Sequence, residues 1–69
     1  MKTKYDWSNV PLKINWIATD ADGIARGHAR EPVIDHPEEW SSDQYYNYPI
    51  IGKDLFNGDW KDSLEERPK

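Results

Sequence analysis

Large aliphatic side chains are scarce, and that scarcity limits what this chain can fold into. Leu, Ile, Val and Phe together fill only 12 of 69 positions. A chain so poor in them falls below the roughly 20 % at which disorder becomes the default, unless other apolar groups replace them. Here the replacement is aromatic. There are four Trp, four Tyr and one Phe, and the net charge is a moderate −4. Each buried Trp or Tyr removes about 150–250 Å² from water, and disordered chains are poor in such rings. The expectation is one small folded domain, residues 1–69, closed around aromatic side chains. No cysteine is present, so no disulfide or thiolate metal site staples it, which fits a reducing compartment. No apolar run approaches the ~20 residues needed to span a bilayer. Met1-Lys2-Thr3-Lys4 is not followed by the apolar stretch of a secretory signal.

The strongest local signal is "INWIATDADGIARGHAR", residues 14–30. Ile14 to Thr19 alternates β-branched and aromatic residues at period two. Asp20-Ala21-Asp22-Gly23 then suits a hairpin loop, because Gly accepts positive φ and Asp bonds nearby backbone N–H groups. Ile24 to Arg30 is the returning strand. Its Ala25, Gly27 and Ala29 leave room for a large ring, Trp16 or Trp40. Residues 1–13 read as an N-terminal arm anchored by Trp7, Val10 and Leu12. Glu31 to Ser42, with Pro32 and Pro37, reads as a loop. Gln44 to Ile51 is a third strand, kept near an edge by Pro49. Asp59 to Glu66 reads as a short helix capped by Asp59, with Trp60 and Leu64 on one side. Residues 67–69 should fray. The predicted fold is thus α+β: a three-stranded antiparallel sheet with a short C-terminal helix. Its expected core is Trp16, Ile17, Ile50, Trp60 and Leu64, with Trp40 over the small strand face.

Chemistry-bearing patterns are weak. Asp20-x-Asp22-Gly23 resembles part of a calcium loop, but aligning its Gly puts Ala18 and Ala29 at ligand positions. His28, His36 and Asp35 would make a partial metal site, yet their spacing matches no metal signature. The plain reading makes His28 an exposed strand residue beside Arg26 and Arg30, and His36 a loop residue. No Ser stands in a nucleophile motif and no Gly pattern cradles phosphate. The sequence therefore points to no enzyme, no cofactor and no metal. Three Tyr in "QYYNYP" carry no Lys or Arg among them, and the chain is acidic, which disfavours direct nucleic-acid binding.

Acid is the one uneven feature. From Asp20 to Asp43 there are seven acids against Arg26 and Arg30, and a second group comprises Asp54, Asp59, Asp62, Glu65 and Glu66. Such a surface either solvates the domain or steers a basic partner. The candidate partner surface is Tyr45, Tyr46 and Tyr48 with Glu38, Glu39 and Asp43, since Tyr is enriched at interface hot spots.

"DWSNVPLKINWIATDADG" (6–23), the "REP" after the second strand and "NGDWKDSLEERP" (57–68) resemble small accessory proteins of tailed bacteriophages and prophages. The resemblance spans about half of the chain, in its two outer parts. It implies a non-enzymatic protein-binding module acting on a host or phage protein in the bacterial cytoplasm, as monomer or homodimer. It carries over no catalytic residue. The alternatives are an acidic nucleic-acid mimic of the anti-restriction or anti-CRISPR type, and a structural or homodimeric phage component.

Overall fold

The computed structural model describes residues 3–36, 38–42 and 48–68. Within them, strands β1 (Trp16–Thr19), β2 (Ile24–His28), β3 (Val33–His36), β4 (Glu39–Ser41), β5 (Ile50–Lys53) and β6 (Glu65–Glu66) form two antiparallel sheets. The larger has the order β5-β2-β1-β6, and β3 pairs with β4 alone. No helix among the described residues is long and apolar enough to cross a membrane.

The predicted hairpin is present. Gly23 takes φ 87°, and its N–H donates to the Asp20 carbonyl at 2.9 Å. Asp22 Oδ1 accepts the Ile24 N–H at 3.0 Å. Register pairs Ile17 with Gly27 and Thr19 with Ala25, so these four share one face; Trp16 with His28 and Ala18 with Arg26 share the other.

The first face meets the N-terminal arm. Tyr5, Val10, Ile14, Ile17 and Ala25 form the buried cluster, with Trp7, Ile51 and Phe56 packed against it. The small face of β2 is thus filled by an aliphatic side chain and not by Trp16 or Trp40. A Cβ built on Gly27 would lie 2.7 Å from Ile14 Cγ2. Gly27→Ala is therefore expected to cost about 1–2 kcal/mol by overpacking, read as a lowered urea midpoint. Gly27→Ala combined with Ile14→Ala should cost less than the sum of the two single substitutions, because alanine at position 14 removes the γ carbons that the new methyl group meets.

Three expectations fail for identifiable reasons. The C-terminal helix is a single 3-10 turn, Trp60–Asp62, followed by β6. Asp59 does cap it, accepting the Lys61 N–H. The chain then straightens because Glu65 and Glu66 pair with the free edge of β1, which gives their backbone groups partners that another helical turn would give only locally. Second, Val33–His36 and Glu39–Ser41, expected as loop, form a hairpin. The α+β, three-stranded fold is accordingly replaced by an almost entirely β fold. Third, the core is misplaced. Ile17 is fully buried and Trp40 is buried outside the main cluster, but Ile50 is 64 % exposed, and Trp16, Trp60 and Leu64 are half-buried. A register shift between Ala25 and Arg26 turns Ile51 inward, and so its neighbour Ile50 outward. In the arm, Leu12 is exposed, and Tyr5 takes the anchoring role, its hydroxyl bonded to Thr19 Oγ1 and to the Ser63 carbonyl, each at 2.8 Å. Arg67, in the stretch expected to fray, makes specific contacts. Its N–H donates to the Asn15 carbonyl at 2.7 Å, and its guanidinium reaches the carbonyls of Ile14, Val10 and Pro11.

Candidate functional site

The second face of the large sheet meets the β3–β4 hairpin, and two ionisable groups join them. Asp20 closes β1 and is almost fully buried. Its carboxylate accepts the Trp40 backbone N–H at 2.7 Å and pairs with the Arg26 guanidinium. Burial pushes the Asp20 carboxyl above its ordinary range, against the pull of the Trp40 N–H and Arg26. The neighbouring Ala21 N–H donates to the Glu38 carbonyl at 3.0 Å, so the loop of one hairpin holds the turn of the other.

His28 makes the second joint. It is 1 % exposed, not the exposed strand residue expected. Alternation along β2 could not reveal this, because the cover comes from a segment read as loop. Nδ1 lies 2.8 Å from Ser42 Oγ, and the ring sits 4.1 Å from that of Tyr48, centre to centre. Burial, with a smaller contribution from the Arg26 charge, lowers its pKa to about 4. At neutral pH the imidazole is therefore uncharged.

Between the two joints lies a cleft of about 270 Å³ lined by Asp20, Arg26, Glu39, Trp40, Ser41, Tyr48 and Ile50. Tyr48 enters it as a brace. Its hydroxyl accepts the Ser42 N–H at 3.0 Å and lies 3.4 Å from Ser41 Oγ. Of the predicted partner surface, Glu38 and Glu39 are exposed and Tyr48 is half-buried; Tyr45, Tyr46 and Asp43 lie outside the described residues. The structure thus brings Tyr48 and Glu39 to one cleft, with Glu38 beside it in the hairpin turn. Sequence reasoning missed Asp20 and Trp40 as partners, and missed Val33 and Ile34 as surface. These two are 61 % and 43 % exposed on a strand whose residues pair with the cleft residues Ser41 and Trp40.

The acids are unevenly used. Asp20 is buried, Asp59 caps the 3-10 turn, and Glu65 accepts from the Lys4 backbone N–H and Trp7 Nε1. Among the described residues no three His, Cys, Asp or Glu side chains are placed to hold a metal ion. The His28 ring is instead held by Ser42 and Tyr48. No protein-family profile, curated protein or solved structure matches this chain.

Proposed function

We propose that the chain is a non-enzymatic protein-binding module of the phage-accessory type, acting on a host protein in the bacterial cytoplasm and docking through the β3–β4 hairpin. The observation that carries this reading is the pairing of exposed aliphatics with carboxylates there. Val33, Ile34 and Ile50 are exposed, and so are Glu38 and Glu39 at the turn of the hairpin. Exposed apolar patches rimmed by polar residues mark interaction sites. The ionisable groups at the base of the hairpin favour the same reading. Asp20, Arg26 and His28 are committed to holding it in place. A phosphate-like row of acids is supported less well, since Asp20, Asp59 and Glu65 are drawn into internal bonds.

Affinity capture from host lysate at low salt tests the reading. The wild-type chain should retain a partner that Val33→Asp/Ile34→Asp loses while remaining folded. An empty capture, or one indifferent to both substitutions, would count against it.

A further inference from the structure

Two steps in this chain place an acid or its amide directly before glycine, Asp22-Gly23 and Asn57-Gly58. Such a step is able to close on itself. No Cβ shields the glycine nitrogen, and the wide φ range of glycine lets the backbone turn toward the preceding side chain. Bonding of that nitrogen to the side-chain Cγ closes a five-membered succinimide ring.

The fold treats the two steps oppositely. At Asp22-Gly23 every participant is held. The Gly23 N–H donates to the Asp20 carbonyl at 2.9 Å, and the Gly23 carbonyl accepts the Asp54 N–H at 2.8 Å. Asp22 Oδ1 accepts the Ile24 N–H at 3.0 Å. Ring closure there requires the hairpin turn to open. Asn57 and Gly58 are both exposed and lie between β5 and the Trp60–Asp62 turn, outside either element. Among the described residues no hydrogen bond holds the Asn57 side chain or the Gly58 N–H. Gly58 has φ 122°, and a Cβ built on it would meet only the Phe56 ring, at 3.5 Å. The Gly58 nitrogen is therefore neither shielded nor tethered. Asn9, Asn15 and Asn47 precede Val10, Trp16 and Tyr48, whose side chains crowd the nitrogen that would attack. Asn15 Nδ2 is also engaged, donating to the Ala29 carbonyl at 3.3 Å.

We propose that Asn57 is a site of spontaneous modification in the folded protein, converted to aspartate and isoaspartate through a succinimide with Gly58. The Gly58 nitrogen bonds to Asn57 Cγ, its proton passes to water or hydroxide, and the side-chain nitrogen leaves as ammonia. Water then opens the ring. Cleavage between the nitrogen and Cγ gives aspartate. Cleavage between the nitrogen and the main-chain carbonyl carbon gives isoaspartate, whose backbone runs through the side chain and is one carbon longer. No oxidant or reductant is involved. Either product adds a negative charge to a chain already at −4. The isoaspartyl form also lengthens the backbone just before Asp59, which caps the 3-10 turn.

Anion exchange and intact mass, followed over time on the folded chain in mildly alkaline buffer, test the proposal. A more acidic species should accumulate, its mass changed by the exchange of NH for O, and fragmentation should place the change at residue 57. Ammonia should appear in equal amount, and the rate should rise with pH. The same chain in concentrated guanidinium chloride should convert at a comparable rate, because the fold does not restrain this step. Asp22-Gly23 should yield isoaspartate only in the denatured sample. Asn57→Gln, an exposed change that would have to close a slower six-membered ring, should abolish the acidic species. A folded chain that keeps its mass while the denatured one converts overturns the proposal, and so does a lack of change in both. An acidic species that maps to Asn9, Asn15 or Asn47, or that persists in Asn57→Gln, overturns it as well.

Discussion

Arg67→Ala should cost about 3 kcal/mol and release both ends of the chain, because the guanidinium makes several charge-assisted bonds worth ~1.5–3 kcal/mol each when well shielded. Nε donates to the Ile14 carbonyl at 2.9 Å, and one terminal nitrogen donates to Pro11 at 2.6 Å and Val10 at 3.2 Å. The same group lies 4.9 Å from the centre of the Trp7 ring. Arg67 is half-buried, so full summation would overstate the loss. The contacts run in parallel with others across the same seam. Lys4 Nζ reaches the carbonyls of Asp62 and Leu64, each at 2.8 Å, while Glu65 accepts from the Lys4 backbone and from Trp7. That seam fastens the arm whose Tyr5 and Val10, with Ile14 directly after it, supply three of the five residues of the buried cluster. A domain of this length holds only about 3–10 kcal/mol in total, so losing the clasp removes a large fraction. Urea denaturation measures the loss, and amide exchange at Val10 and Ile14 locates it. Arg67→Lys should keep a single carbonyl contact and fall between the two. Exposed Arg30→Ala is the control, expected within about 0.5 kcal/mol of wild type. A loss below that for Arg67→Ala would show the clasp to be incidental.

This seam also marks where the sequence is legible and where it is not. The β1–β2 hairpin could be read because its signals are local: alternation, then Asp-Gly where positive φ is needed. Asp59 was legible as a cap for the same reason. What followed it was not, since capping fixes only how a helical turn begins. Whether the turn continues depends here on an unpaired β1 edge more than 40 residues away in sequence, as Ser63 shows: its hydroxyl donates to the Thr19 carbonyl and accepts the Thr19 N–H. Glu65 and Glu66 have no intrinsic preference for strand; they adopt it because that edge supplies their partners. Tyr5 looked peripheral because nothing near it in sequence announces Thr19 or Ser63. Ile50 and Ile51 are indistinguishable to alternation, and only the irregular pairing after Ala25 decides which turns inward. At the cleft, Tyr48 and Glu39 were legible as types, an aromatic and an acid. Their convergence on Asp20 and Trp40 depends on a hairpin hidden in a stretch with two prolines and mostly polar side chains.

His28 carries the strongest pH dependence that the structure implies. Its pKa falls from 6.5 to about 4 on folding, so between those values the unfolded chain binds a proton that the folded chain refuses. Stability is then complete above about pH 6.5 and declines as pH drops toward 4, by ~1.4 kcal/mol per unit. The full decline is about 3 kcal/mol, an order-of-magnitude figure. Asp20 works in the opposite sense. Its carboxyl is raised from 3.8 by burial, so the folded chain takes up that proton more readily than the unfolded one, and the slope should flatten or reverse as pH nears the carboxylate range. The charges facing His28 favour refusal of the proton. Arg26 shares its sheet face and repels an imidazolium, while Ser42 and Tyr48 bring no countercharge. Urea midpoints at pH 7, 5.5 and 4.5 for wild type and His28→Phe decide the matter. The variant keeps a ring against Tyr48 but cannot titrate, so its stability should change far less across that interval, whatever its value at pH 7. Parallel slopes in the two proteins would place the acid sensitivity elsewhere. A flat wild-type profile would mean that the protonated ring finds a partner in the fold, and that the joint between the two sheets is more open to water than its contacts imply.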